Sequence, residues 1–202
     1  MSRRTTRRLG MALLVAALLP ACTRAAADAK VGSAAPDFTL RDHEGKEHKL
    51  ASYRGRVVVL EWINPNCPFS RRHAEEGTMT RLVKANPEVA WLAVNSTAQG
   101  HKDFLPAAQH AAYNGKHGIA YPVLYDADGK VGHAYDARTT PHMVVIDEQG
   151  RIVYDGAIDD DPYGRKQERA NYVAAALQAH SAGRAADPAV TQPYGCTVKY
   201  KA

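Results

Sequence analysis

The stretch that most restricts how this chain can fold is Val57-Val58-Val59-Leu60-Glu61-Trp62-Ile63-Asn64-Pro65-Asn66-Cys67-Pro68-Phe69-Ser70. Its first half is a near-continuous apolar, β-branched run without alternation, the mark of a strand covered on both faces. Asn64-Pro65-Asn66 then turns the chain, and Pro68 is the residue type favoured at the first position of a helix. Cys67 therefore stands at a helix entrance, directly after a buried strand. A thiol there meets unpaired backbone N–H groups and the positive end of the helix dipole. Both favour the thiolate, which is the nucleophilic form. The competing reading is a buried, inert cysteine.

The rest of the chain alternates in the same way. Residues 36–50 read as a hairpin turning near Gly45, and residues 68–85 as one helix ended by Asn86-Pro87. Val89–Val94 is a second buried strand, followed by a helix over about 101–114 closed by Gly115 and Gly118. Tyr121–Tyr125 is a short strand and residues 128–135 a short helix. Met143–Asp147 and Arg151–Asp155, on either side of Glu148-Gln149-Gly150, form a second hairpin. Tyr172, Val173, Ala176, Leu177 and His180 recur at helical spacing within a terminal helix over 165–180, and residues 181–202 make a long tail. This order predicts an α/β fold, a three-layer α/β sandwich. Its mainly parallel sheet carries helices on both faces and an antiparallel pair at one edge.

Charge is informative through its location. Arg3, Arg4, Arg7 and Arg8 precede the apolar run Met11–Leu19, and removal of residues 1–21 takes the formal charge from +5 to +1. A nearly neutral domain gives no reason to expect a nucleic-acid partner. The basic start and short apolar stretch read as an export signal over residues 1–22, too short to span a bilayer as a mature helix. Leu19-Pro20-Ala21-Cys22 looks like a lipobox with Cys22 as the lipidated residue; ordinary cleavage near Ala25–Ala27 or Ala29 is the alternative. Thr6-Arg7-Arg8-Leu9 is only faintly like a twin-arginine signal. The expected location is exported and periplasmic, on the membrane through a lipid anchor alone. Residues 23–35 read as a linker, 36–180 as the domain and 181–202 as a tail carrying Cys196.

The run from Val57 to Ser70, Thr140-Pro141 before a strand, and the closing hairpin and helix together resemble a thioredoxin fold. The resemblance is to its redoxin or AhpC/TSA-like branch, which includes membrane-anchored thiol–disulfide proteins and peroxiredoxins. It covers roughly residues 31–180, and the segments Gly156–Asp160 and Pro193–Tyr200 are similar to parts of exported members. The resemblance implies that Cys67 is the first cysteine of a C-x-x-C motif whose second position is Ser70, so resolution comes from Cys196, from an external thiol, or not at all. It implies a cis bond at Thr140-Pro141, leaving the backbone of Thr140 open to an extended substrate; the bland alternative is a proline opening a strand. Glu61 falls near a position that assists proton transfer, though a solvated strand-edge carboxylate is equally consistent. His142 either approaches the thiolate or faces solvent. Cys196 is a resolving thiol, half of a structural disulfide, or free; its neighbours Tyr194, Val198 and Tyr200 suggest a docked tail.

Three functions compete. A thiol–disulfide oxidoreductase would use Cys67 on a protein or small-molecule disulfide, with an external thiol as reductant. A peroxidase would act on a peroxide. Asn64 stands where peroxiredoxins carry threonine, and neither Arg138 nor Arg71 stands where their arginine falls. A metal-binding module would draw on Cys67, His142 and the nine histidines, but these lack a paired ligand spacing. No phosphate loop, dinucleotide fingerprint or haem motif occurs, so neither cofactor nor metal is expected.

Overall fold

The structure, a computed structural model, describes residues 29–201. Residues 1–22, read from sequence as an export signal ending at Cys22, lie outside the described residues. The elements are β1 (Thr39–Asp42), β2 (Glu47–Lys49), a 3-10 turn (Leu50–Tyr53), β3 (Val58–Trp62), α1 (Pro68–Glu75), α2 (Thr78–Ala85) and β4 (Ala90–Asn95). Then come α3 (Ala107–His117), β5 (Val123–Tyr125), α4 (Lys130–Ala134), β6 (Thr139–Thr140), β7 (His142–Ile146), β8 (Ile152–Gly156), α5 (Tyr172–Ser181) and β9 (Cys196–Thr197).

Seven strands form one sheet in the order β2-β1-β5-β4-β3-β7-β8. Only β3–β4 and β4–β5 are parallel; β1–β2, β1–β5, β3–β7 and β7–β8 are antiparallel. The expectation of a mainly parallel sheet with one antiparallel edge is therefore corrected. The N-terminal hairpin does not lie apart but joins the sheet beside β5, so both edges are antiparallel. The layered α/β arrangement itself is as expected.

Period-2 alternation along β3 sends Val58, Leu60 and Trp62 into one core and Val59 and Ile63 into the other. The first core is closed by Phe38, Leu50, Val131 and Tyr135; the second is closed by Met79 of α2 and by Val173, Ala176 and Leu177 of α5. All five β3 residues are buried, each large aliphatic one contributing ~1.5–3 kcal/mol, which fixes the strand that leads to Cys67. Glu61, on the second face, is the one carboxylate in this run.

Four boundaries differ from expectation. The helix expected over about 101–114 begins only after Pro106, at Ala107, and runs through Gly115 to His117, where Gly118 ends it at φ 64°. Residues 68–85 form two helices, because Gly77 adopts φ 64° between them. The last helix begins at Tyr172, where the Asn171 side chain caps it by accepting from the Ala174 N–H at 2.8 Å. Residues 31–35 are not a tether: Ser33 and Ile152 pair through Ile152 N–H to Ser33 O at 3.0 Å, Ala35 N–H reaches Gly150 O at 2.9 Å, and Ala35 is buried.

Candidate active site

Cys67 is the N-cap of α1, with Pro68 at the first helical position. Its carbonyl takes the first helical bond from Arg71 N–H at 2.9 Å, and its own N–H reaches Asn64 O at 2.9 Å. Asn64 shapes this loop. Its Oδ1 accepts from Asn66 N–H at 2.8 Å while its Nδ2 donates to Thr97 Oγ1 at 3.1 Å. The turn at Asn64-Pro65-Asn66 is legible in the sequence; the two side-chain bonds of Asn64 that hold it are not.

The Cys67 side chain is 2% exposed, and its Sγ donates to Thr140 O at 3.0 Å. Thr140-Pro141 is a cis peptide bond. Thr140 belongs to β6, which pairs antiparallel with β9 so that Thr140 stands opposite Cys196. Cys196 thus stands across the ladder from the residue whose carbonyl accepts the Cys67 S–H, and both cysteines are free thiols. Burial pushes the Cys67 pKa up, but hydrogen bonds from the Cys196 thiol, the Ser70 amide, the Thr140 hydroxyl and the Cys196 amide outweigh it. Cys67 is held below the ordinary thiol value. Cys196 goes the other way: burial, then the Cys67 sulfur, push it up to about 11. The pair is thus polarised, with the charge favoured on Cys67.

Glu61 is buried and accepts from the Tyr121 hydroxyl at 2.8 Å. Burial raises its pKa to about 7 against the opposing Tyr121 hydrogen bond. It lines a cavity of about 20 Å³ with Pro65, Ser70, His73, Tyr113 and Tyr121. Ser70 is buried there, and its Oγ has no hydrogen-bond partner among the described residues. His142 neither meets the thiolate nor faces solvent: it is buried against Trp62, with Nε2 2.8 Å from Asp155. Arg138 is exposed and paired with Asp136 at 2.7 Å, and Arg71 Nε donates to Pro65 O at 3.3 Å. Among the described residues no cluster of three histidine, cysteine or acidic side chains has the geometry to hold a metal ion.

The tail that carries Cys196 is docked along its length. Thr191 N–H reaches Asp155 O at 3.0 Å, and Thr191 Oγ1 lies 2.6 Å from the Tyr154 hydroxyl. Beyond Cys196, Val198 N–H reaches Arg138 O at 3.0 Å, Ala98 N–H reaches Lys199 O at 2.8 Å, and the Tyr200 hydroxyl donates to Ala137 O at 2.6 Å. The Tyr200 ring stacks on His133 at 3.9 Å. Two sites sequence reasoning missed, Tyr121 beneath Glu61 and the contacts of Tyr194, depend on meetings between residues far apart in the chain.

Comparison with known proteins bears on the family and the fold. The AhpC/TSA family profile matches residues 31–155. The thiol-disulfide oxidoreductase ResA of Geobacillus thermodenitrificans is 30% identical over 122 residues, 60% of this chain and 66% of that protein, just under two thirds. Chloroplastic peroxiredoxin Q of Oryza sativa subsp. japonica is 30% identical over 134 residues, 61% of this chain and 57% of that protein. The crystal structure of a hypothetical protein from Sinorhizobium meliloti 1021 superposes with a TM-score of 0.77 at 26% identity, covering 87% of this chain and 97% of that one.

Proposed function

The chain belongs to the AhpC/TSA family, and from that premise we propose that it is an exported thiol–disulfide oxidoreductase with Cys67 as nucleophile and Cys196 as resolving thiol. The observation that carries the proposal is a juxtaposition: Cys67 caps α1 and donates to the Thr140 carbonyl, and Thr140 faces Cys196 across the β6–β9 ladder, with the first thiol held below and the second above the ordinary value. The Cys67 thiolate attacks a substrate disulfide, forming Cys67–S–S–R and releasing R′–S⁻. Cys196 then gives up its proton and attacks the Cys67 sulfur, forming Cys67–S–S–Cys196 and releasing R–S⁻. An external thiol returns both cysteines to the reduced state. Glu61, held protonated up to about 7 by burial, lines the cavity beside Ser70, and its hydrogen bond among the described residues goes to Tyr121 and to neither cysteine. The Thr140 backbone is not open as expected from sequence, because β9 of the tail pairs with it; an extended substrate would pair there only once the tail gives way. Substrates in reach of this chemistry are protein or small-molecule disulfides.

Peroxide reduction has less support, although a peroxiredoxin is among the relatives. The Asn64 side chain is engaged in its loop and Arg138 is turned to Asp136, so neither is placed against the Cys67 sulfur to polarise an O–O bond. Export rests on residues 1–22, with a lipid anchor on Cys22 as its finer form.

Dithiothreitol-driven reduction of insulin disulfides, compared with consumption of hydrogen peroxide, tests the assignment. Wild-type protein is expected to reduce insulin with a rate that Cys67→Ser abolishes, and Cys196→Ser is expected to accumulate a mixed disulfide on Cys67. A Cys67→Ser variant with wild-type activity overturns the reading, and peroxide consumption far above that of a free thiol replaces it with the peroxidase.

A further inference from the structure

Cys196 lies in a strand of only two residues, so its place over Cys67 comes from the residues on either side. Immediately upstream, the Tyr194 hydroxyl donates to Asp159, lies 2.9 Å from His73 Nε2 and accepts from Arg72 at 3.3 Å. Asp159 and His73 are buried, and Arg72 is fixed in turn by Asp161 O at 2.8 Å and Glu76 at 3.2 Å. The Tyr194 ring packs against Phe69 and His73, with centroids 6.1 and 6.2 Å apart. Phe69, Arg72 and His73 all belong to α1, the helix that Cys67 caps. Anchor and nucleophile therefore ride on one rigid element.

Gly195 supplies the second half of the device. It adopts φ 131°, and a Cβ built on it would run into the Thr140 carbonyl and come within 3.2 Å of the Pro141 nitrogen. Thr140 is the residue that faces Cys196 in the ladder and accepts the Cys67 S–H. Any side chain at 195 holds the two strands apart where the two sulfurs meet.

We propose that Tyr194 and Gly195 are positioning residues for the Cys67–Cys196 couple: the Tyr194 hydroxyl ties the tail to α1, and the missing side chain of Gly195 lets Cys196 close on Cys67. The inference rests on the two-cysteine reading above. Its consequence is a high effective concentration of one thiol at the other, which is lost when the tie is cut or a wedge is inserted. The relevant exchange takes two protein thiols and one glutathione disulfide to one protein disulfide and two glutathione thiols, so the two electrons leave on glutathione.

The test equilibrates full-length wild type, Tyr194→Phe and Gly195→Ala with glutathione redox buffers, quenches in acid and quantifies the Cys67–Cys196 linkage by mass spectrometry. The same two substitutions are made in a Cys196→Ser background, where iodoacetamide reports on Cys67 alone. Both variants are expected to lower the effective concentration at least about tenfold, the scale of one hydrogen bond to a charged group, while Cys67 alkylation stays at the Cys196→Ser rate. Equal effective concentrations with only a lowered melting temperature would mean a purely structural role and overturn the inference. So would a loss fully accounted for by slower Cys67 alkylation. Absence of any Cys67–Cys196 linkage in wild type overturns the two-cysteine reading itself, and this inference with it.

Discussion

At the scale of single residues, Cys67 illustrates how burial and hydrogen bonding compete over one proton. Burial alone would make it a poor nucleophile, and the donors around it reverse the sign. The Cys196 thiol is the first of those donors, so Cys196→Ala is expected to raise the Cys67 pKa. The pH profile of iodoacetamide alkylation, followed at Cys67, should move its midpoint upward; an unchanged or lower midpoint would remove Cys196 from the thiolate's support. The place of Cys67 at a helix entrance is legible because strand, turn, Pro68 and thiol are contiguous. What Cys196 does stays open in the sequence among three readings, since nothing local to it says that it meets Thr140 across a ladder. His142 was legible as a neighbour of Pro141 but not as a partner of Asp155 on β8, because its orientation follows from the β3–β7 register.

Among the elements, strands were read more faithfully than helices. β3, β4, β7 and β8 announce themselves as dense apolar runs, whereas the pattern over 68–85 continues through a break that one glycine makes. At Gly77, φ 64° and a Cβ position 3.0 Å from Thr80 Oγ1 leave little room for a side chain. Gly77→Ala is expected to cost about 1 kcal/mol in urea unfolding, from positive φ and crowding together. A neutral result would mean that α1 and α2 tolerate fusion. The start of α5 was misread because residues 165–171 lie in a polar loop held by Asp160 and Asp161, whose Oδ2 atoms bind Lys166 Nζ at 2.6 Å and Lys166 N–H at 2.8 Å. The sheet's hand of pairing also escaped the sequence: that β1 joins β5, not an independent hairpin, is set by contacts across the fold.

For the whole molecule, buried titratable groups pull stability in opposite directions with pH. Burial holds Glu61 protonated up to about 7, above its unfolded value of 4.5. The native state therefore keeps a proton that the unfolded chain has lost, and Glu61 makes stability fall as pH rises from 4.5 to 7. Burial keeps His73 and His110 neutral down to about 3 and about 4, against 6.5 unfolded, so their contribution rises with pH up to 6.5. Glu61→Gln, which retains an acceptor for Tyr121, is expected to match wild type near pH 4. At pH 8 it should exceed wild type by an amount on the order of 3 kcal/mol in denaturant titrations. Equal stabilities at both pH values would show that Glu61 ionises freely in the folded protein.

The docked tail has one more effect, on how molecules meet one another. A sheet edge left bare offers backbone donors and acceptors to any passing strand. At one edge β2 is three residues long, with Glu47 and Lys49 exposed. At the other, Asp155 of β8 is already paired, its N–H to Ala189 O and its C=O to Thr191 N–H, each at 3.0 Å. Lifting the tail would uncover that edge. Variants that release it should then self-associate, with a sedimentation coefficient that climbs with concentration; an unchanged coefficient would mean that the segment carrying Cys196 does not guard this edge.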